Sequence, residues 1–312
     1  DHWIFLRRNL DSLELDHYLH VSDPGRFLDD LLEFCSRCHD NLVSPESFAR
    51  YVDRLALNPP APPSTKKKSK FTASEEIARL KEVARVFARS EELQERAGLV
   101  GFGAMLSRAV FLLQSSSDLQ KRLQSRYRYI LVDEFQDTNW AQIRLLQLLA
   151  GTSLNIAAVG DPNQAIYHFR GASYTSFELF EKSFPGCKRI ELSENYRSTK
   201  RILAVAAAAI AASPASADRP SIRPLTTPNP VGPRVEVAEY LSDDEQAEDI
   251  ARDILRKMNE GIANRFEDFA VLYRKHGHRN RLVAALRRHD IPFSIRKLAI
   301  NSLPAVKDMI AS

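Results

Sequence analysis

A change of hydrophobic period at Tyr127 constrains this chain more than any other feature. Upstream, apolar residues recur at helical spacing, as in Phe27, Leu28, Leu31, Leu32 and Cys35, and in Ile77, Leu80, Val83, Ala84 and Phe87. That pattern makes helices with one apolar face. Downstream, short apolar runs alternate with helical ones: YRYILVDE then NWAQIRLLQLLAG, and NIAAVGD then SYTSFELFEKSF. Strands that alternate with helices fold as a parallel sheet with crossover connections. An α/β protein preceded by a helical module is therefore expected.

Two segments interrupt the pattern. NPPAPPSTKKKSK at 58–70 combines prolines, which have no amide hydrogen to donate, with lysines that repel one another, so it is expected to be an exposed loop. Lys66, Lys67, Lys68 and Lys70 could touch duplex phosphates there, although such runs are usually only solvated. Between 212 and 233, Pro214, Pro220, Pro224, Pro228, Pro230 and Pro233 exclude a continuous helix or a central strand, and the segment reads as a linker or surface excursion. Beyond it RVEVAEY, DDEQAEDIARDILRKMNEG, DFAVLYR, RNRLVAALRRHD and IPFSIRK read as a second α/β unit.

The chain has 312 residues, 44% of them hydrophobic, which gives room for about two domains. No run approaches the ~18 apolar residues of a membrane span, and DHWIFLRRNL has neither a signal-peptide block nor a starting Met. The chain reads as cytoplasmic and trimmed. With 44 Lys and Arg against 40 Asp and Glu, its charge is compatible with a polyanionic partner without indicating one. Three cysteines do not make a disulfide framework. CSRCH at 35–39 has the form of a haem-attachment site and could join a zinc site, but both cysteines fall on the apolar stripe of a helix and read as core.

Chemistry concentrates in ILVDEFQDTN, where a buried apolar strand delivers Asp133 and Glu134 at its C-terminal end, the edge at which α/β sheets place ligands. One carboxylate there can hold Mg²⁺ while its neighbour activates the water that attacks a γ-phosphate. Taken alone, the pair reads as an acidic, solvated turn. The next residues decide: AVGDPNQAIYHFRGA follows a second strand and SENYRSTKRI a third. VDEFQDTN, GDPNQAIYHFRGA and ENYRST, in this order and spacing, resemble motifs II, III and IV of the UvrD/Rep/PcrA group of superfamily 1 DNA helicases.

The resemblance implies a fold of incomplete RecA-like motor domains with an all-helical inserted subdomain. It places the helical subdomain at 1–96, the second half of the first motor domain at 97–191 and the first half of the second at 192–312. It implies an ATP-dependent helicase, with ATP and Mg²⁺ as cofactors, that moves along single-stranded DNA with 3′-to-5′ polarity and separates duplex DNA in repair or replication. Asp133 would sit on the metal side, Glu134 would be the catalytic base and Gln164 would sense the γ-phosphate. Arg197 would neutralise charge building on that phosphate, and Tyr196 would stack on the adenine. Tyr167, Phe169 and Arg170 would face DNA, the aromatic rings stacking on bases. Ala165 stands where the family usually has Ser, Phe169 where it often has Trp, and GLVGFGAML where it commonly carries acidic residues.

No glycine begins a G-x-x-x-x-G-K-S/T phosphate loop, which the resemblance places upstream of Asp1, so the segment is expected to be a middle piece of a longer protein, inactive by itself; the resemblance also implies a nucleoid-associated setting. Its expected partners are single-stranded and duplex DNA, with no membrane; repair or replication proteins are possible partners, as is self-association. Two other readings stay open at this point. One is the helicase part of a RecB- or AddA-like helicase–nuclease. The other is a DNA-binding module without catalysis.

Overall fold

Three helices in the first part of the chain begin where the sequence supplies a side-chain cap. The structure, a computed structural model, describes residues 2–18, 24–58, 71–152, 155–165, 176–212, 225–274 and 276–295. From α1 (His2–Arg8) the chain passes to α2 (Pro24–Asp40) and α3 (Pro45–Leu57), where the Ser44 hydroxyl accepts the Ser47 amide at 3.2 Å. In α4 (Ala73–Arg96), Thr72 and Glu75 form a reciprocal capping box; α5 (Phe102–Ser115) and α6 (Ser117–Arg126) follow, the latter capped by Ser116. Side chains that accept first-turn amides satisfy donors the helix cannot.

The apolar faces of α1, α2 and α4 meet around Leu6, Leu13, Leu28, Leu31, Cys35, Cys38, Val86 and Phe87. Burial pushes the Cys35 thiol up to about 12 and the Cys38 thiol to about 11, so both are protonated core groups at neutral pH. Among the described residues no group of three or more His, Cys, Asp and Glu could hold a metal ion. Buried in the same region, the Glu82 carboxylate accepts the backbone amides of Asp16, His17 and Tyr18 at 2.8, 2.7 and 3.4 Å. A buried charge is tolerated when donors surround it in this way.

The sheet begins at β1 (Ile130–Val132), crosses through α7 (Trp140–Ala150) and returns as β2 (Ile156–Ala158), parallel and with Ile130 opposite Ile156. One face packs on Phe135, Ile143, Ala150, Phe180 and Phe184, the last two from or beside α8 (Ser176–Ser183). The expected buried strand is thus only half buried: Leu131, on the opposite face, is 83% exposed. Adjacent residues of a strand point to opposite faces, so covering one face leaves the alternate side chain in water. A side-chain bond from Asn139 Nδ2 to Asp40 Oδ1, 2.6 Å, joins the start of α7 to the end of α2.

Contacts divide the chain into two compact units between Ile190 and Glu191. The second contains α9 (Lys200–Ala211), α10 (Asp243–Asn259) and α11 (His276–Arg288); α10 and α11 close on Ala247, Ala251, Ile254, Ala285, Leu286 and Ile291. Here the expected strands are corrected. RVEVAEY, DFAVLYR and the described part of IPFSIRK run without ladder hydrogen bonds, and Val237 and Leu272 are exposed. Alternating side chains suit a strand, but a strand needs a paired neighbour, and these segments have none among the described residues. The unit's one β-bridge among the described residues joins Glu194 to Thr226. No helix among the described residues is long and apolar enough to cross a membrane.

Candidate active site

In the first unit both acidic candidates sit on the turn that leaves β1. Glu134 adopts φ +50°, a left-handed conformation that costs a non-glycine residue about 1–3 kcal/mol. The turn holds because Phe135 donates its amide to the Val159 carbonyl at 3.0 Å and buries its ring edge-on against Phe177 and Phe180. Asp133 and Glu134 both face solvent, and Asp133 Oδ1 accepts the Glu134 amide at 2.9 Å.

Gln164 lies on the next loop, at the end of the 3-10 turn Pro162–Gln164 that follows β2. Its Nε2 donates to Asp161 Oδ2 at 3.0 Å, and Asp161 Oδ1 accepts the Asn163 amide at 2.9 Å. The two loops are joined through Gln136, only 2% exposed: its Nε2 donates to Glu134 Oε2 at 2.6 Å and its Oε1 accepts the Asp161 amide at 3.0 Å. Gly160 makes that approach possible, since a Cβ there would overlap Gln136 Oε1 and stand 2.9 Å from the Phe135 nitrogen. Asp137, on the same turn, keeps one buried carboxylate oxygen without a hydrogen-bond partner among the described residues.

Tyr196 and Arg197 belong to the second unit, on a turn organised by Asn195. The Asn195 Oδ1 accepts the Arg197 and Ser198 amides at 3.0 and 2.7 Å. From the other side Asn229 Nδ2 donates to the Tyr196 and Ser198 carbonyls at 3.0 and 3.2 Å, and Thr227 Oγ1 to the Ser198 carbonyl at 3.1 Å. The Pro230 and Val231 carbonyls accept the first amides of α9. Of the expected linker or surface excursion at 212–233, residues 225–233 are mostly exposed and brace this turn, since proline removes a donor but the carbonyls around it remain acceptors; 213–224, with Pro214, Pro220 and Pro224, lie outside the described residues. Tyr196 is 72% exposed and donates its hydroxyl to Glu194 at 2.5 Å, which pushes the phenol above its ordinary range. The exposed Arg197 guanidinium makes no hydrogen bond or ion pair among the described residues.

Gln136, Gly160, Asp161 and Asn229 were not candidates from sequence. The signal for Gln136 was present in DEFQD, where an amide follows the second acid by two positions; the signal for Asn229 was an Asn between two prolines. Tyr167, Phe169 and Arg170 lie outside the described residues, as do Lys66, Lys67, Lys68 and Lys70.

Parallel strands that end side by side in paired carboxylates and an amide define an α/β protein with a candidate ligand site at the carboxyl edge of its sheet. The chain belongs to the UvrD/Rep helicase family. The family described as UvrD/REP helicase N-terminal domain matches residues 5–185, and the UvrD-like helicase C-terminal domain matches 190–312. The chain is similar to the ATP-dependent DNA helicase PcrA of Staphylococcus epidermidis, 28% identical over 294 residues, which is 93% of this chain and 38% of that protein. PcrA of Staphylococcus aureus is 28% identical over 297 residues, with coverage of 93% and 38%. The chain thus spans 38% of the length of these curated relatives.

Proposed function

We propose that this chain carries the water-activating part of the ATP site of a DNA helicase, with Glu134 as the base, Gln164 as the γ-phosphate sensor, Arg197 as the cation that meets charge developing on that phosphate, and Tyr196 as the adenine platform. One observation carries the reading: the Glu134 carboxylate and the Gln164 amide are tied through Gln136 and Asp161 at the carboxyl ends of adjacent parallel strands. An amide can donate to a phosphate oxygen and accept from the attacking water, and a neighbouring carboxylate can take that water's proton.

The residues present suit Mg²⁺. This ion keeps much of its water and binds through one or two carboxylates and the phosphates, so a single solvent-facing carboxylate, Asp133, fits it better than a closed cage would. When bound it would neutralise phosphate charge. The 312 residues contain no G-x-x-x-x-G-K-S/T loop, and carboxylates alone repel a triphosphate. In our reading, hydrolysis therefore needs a phosphate cradle from elsewhere, residues 97–191 and 192–312 are parts of two RecA-like motor domains, and 1–96 is a helical subdomain inserted in the first. Tyr167, Phe169 and Arg170 would contact single-stranded DNA during 3′-to-5′ translocation, with duplex separation serving repair or replication. Exposed Leu131, Tyr129 and Val159 beside the short sheet favour self-association of the isolated chain.

The test is Glu134→Gln in a polypeptide that also carries the phosphate loop. Hydrolysis should fall by about 10²–10⁴-fold with nucleotide binding kept, because shape is preserved and the base removed. Turnover within tenfold of wild type sinks the assignment. Calorimetry on the 312-residue chain should find no micromolar Mg²⁺–ATP binding, and light scattering should find a dimer or larger species.

A further inference from the structure

We propose that Gln136 is a positioning residue that fixes the Glu134 carboxylate and locks it to the loop bearing Gln164, an inference that rests on the proposed role of Glu134. The side chain is 2% exposed and spans two groups with one-way chemistry. The Asp161 backbone N–H can only donate, at 3.0 Å, so the atom facing it is the amide oxygen. The nitrogen must then point at Glu134 Oε2, 2.6 Å away, and an ionised carboxylate can only accept. A primary amide of this length meets both demands. Glutamate would keep the bond from Asp161 and face Glu134 with a like charge; methionine would keep the volume and lose both bonds.

The lock extends beyond one residue. Asp161, held by Gln136 through its backbone, holds Gln164 through its side chain at 3.0 Å. The base and the sensor are therefore placed by one continuous line of four residues, Glu134, Gln136, Asp161 and Gln164. Gly160 belongs to the same device, because a Cβ there would occupy the space of Gln136 Oε1. Glu134 also needs an external restraint, since it stands exposed at φ +50° with no other side-chain partner among the described residues. A group that deprotonates an attacking water must be held in angle as well as in distance, and a misplacement of about 1 Å can cost about 10²-fold in rate.

Single-turnover ATP hydrolysis by the full-length polypeptide tests this with Gln136→Met, Gln136→Glu and Gly160→Ala, and with Glu134→Gln as the reference. Gln136→Met should slow the chemical step by about 10–100-fold while nucleotide affinity stays within about threefold. Gln136→Glu, which keeps the bond from Asp161 but faces Glu134 with a like charge, should slow the step at least as much, and Gly160→Ala should resemble Gln136→Met in rate. A purely structural role would lower nucleotide affinity and melting temperature along with the rate, whereas a positioning role lowers the rate alone. If Gln136→Met hydrolyses within threefold of wild type, or if its nucleotide affinity falls in step with its rate, the proposal is overturned. If Gln136→Met does not fold, Gln136→Glu decides by the same two readouts. Should Glu134→Gln retain its rate, the assignment of the base fails instead, and that outcome is separate from the others.

Discussion

In the first unit the turn after β1 restrains Glu134 through the buried amide of Gln136, whereas in the second the Asn195–Ser198 turn restrains backbone amides and leaves the Arg197 guanidinium in solvent. The difference follows from what each group is proposed to do. A base must present an oxygen lone pair along one direction, so its carboxylate needs a partner of its own. A cation acts through a Coulomb field that varies gently with angle, so placing its root suffices and its length supplies the reach. Fixed tip and fixed root are two ways of preparing a side chain, and the proteins's two turns use one each.

The sharpest way to break this comparison is Arg197→Ala. Turnover should fall by about 10³–10⁵-fold, the range for a charge-neutralising arginine in phosphoryl transfer. The melting temperature should not move, because the guanidinium has no partner to lose among the described residues. If DNA affinity alone changes, the γ-phosphate role is wrong. Asn195→Ala probes the root. Removing the acceptor of two amides should destabilise the second unit by roughly 1–3 kcal/mol and lower turnover less than Arg197→Ala does. Asn195→Asp, which keeps the acceptor, should restore most of both; no rescue would mean that the turn does not set the arginine.

Two further measurements concern residues away from these turns. Tyr167→Ala should weaken single-stranded DNA binding by about 1–3 kcal/mol with little dependence on base sequence, as read by fluorescence anisotropy on mixed and homopolymer strands. An unchanged affinity would refute the stacking role of Tyr167. The smallest effect lies at Glu91. Burial by itself would raise its carboxyl, but the hydrogen bond with His39 and the charge of Arg108 hold it below its ordinary 4.5. A depressed carboxyl stabilises the fold above about pH 4.5, and that contribution is lost as the pH falls through the folded-state value. The stability gap between wild type and Glu91→Gln should therefore be present at neutral pH and shrink in acid; a gap independent of pH would refute the assignment.

What could be read from sequence was local. The strand ending in Asp133 and Glu134 and the cysteines on an apolar stripe both depend on residues a few positions apart. What could not be read depends on partners distant in the chain. Gln136 looks like any polar residue in a turn until the Asp161 amide arrives from 25 residues away. Asn229 braces a turn 33 residues earlier, and its flanking prolines announce only where regular structure stops. The alternation in RVEVAEY and DFAVLYR describes faces but does not supply a neighbour, and among the described residues no ladder forms on either segment.

The Glu82 carboxylate has a consequence for how the molecule opens. Three successive amides, those of Asp16, His17 and Tyr18, are protected by a side chain that helix α4 carries more than 60 positions later. They belong to a stretch without regular structure, where amides ordinarily exchange with solvent in brief local openings. Here exchange requires the loop to leave α4, so these three deuterons should enter at the rate at which α4 separates from the first helices. A short irregular segment thereby becomes a clock for the cooperative opening of the helical core.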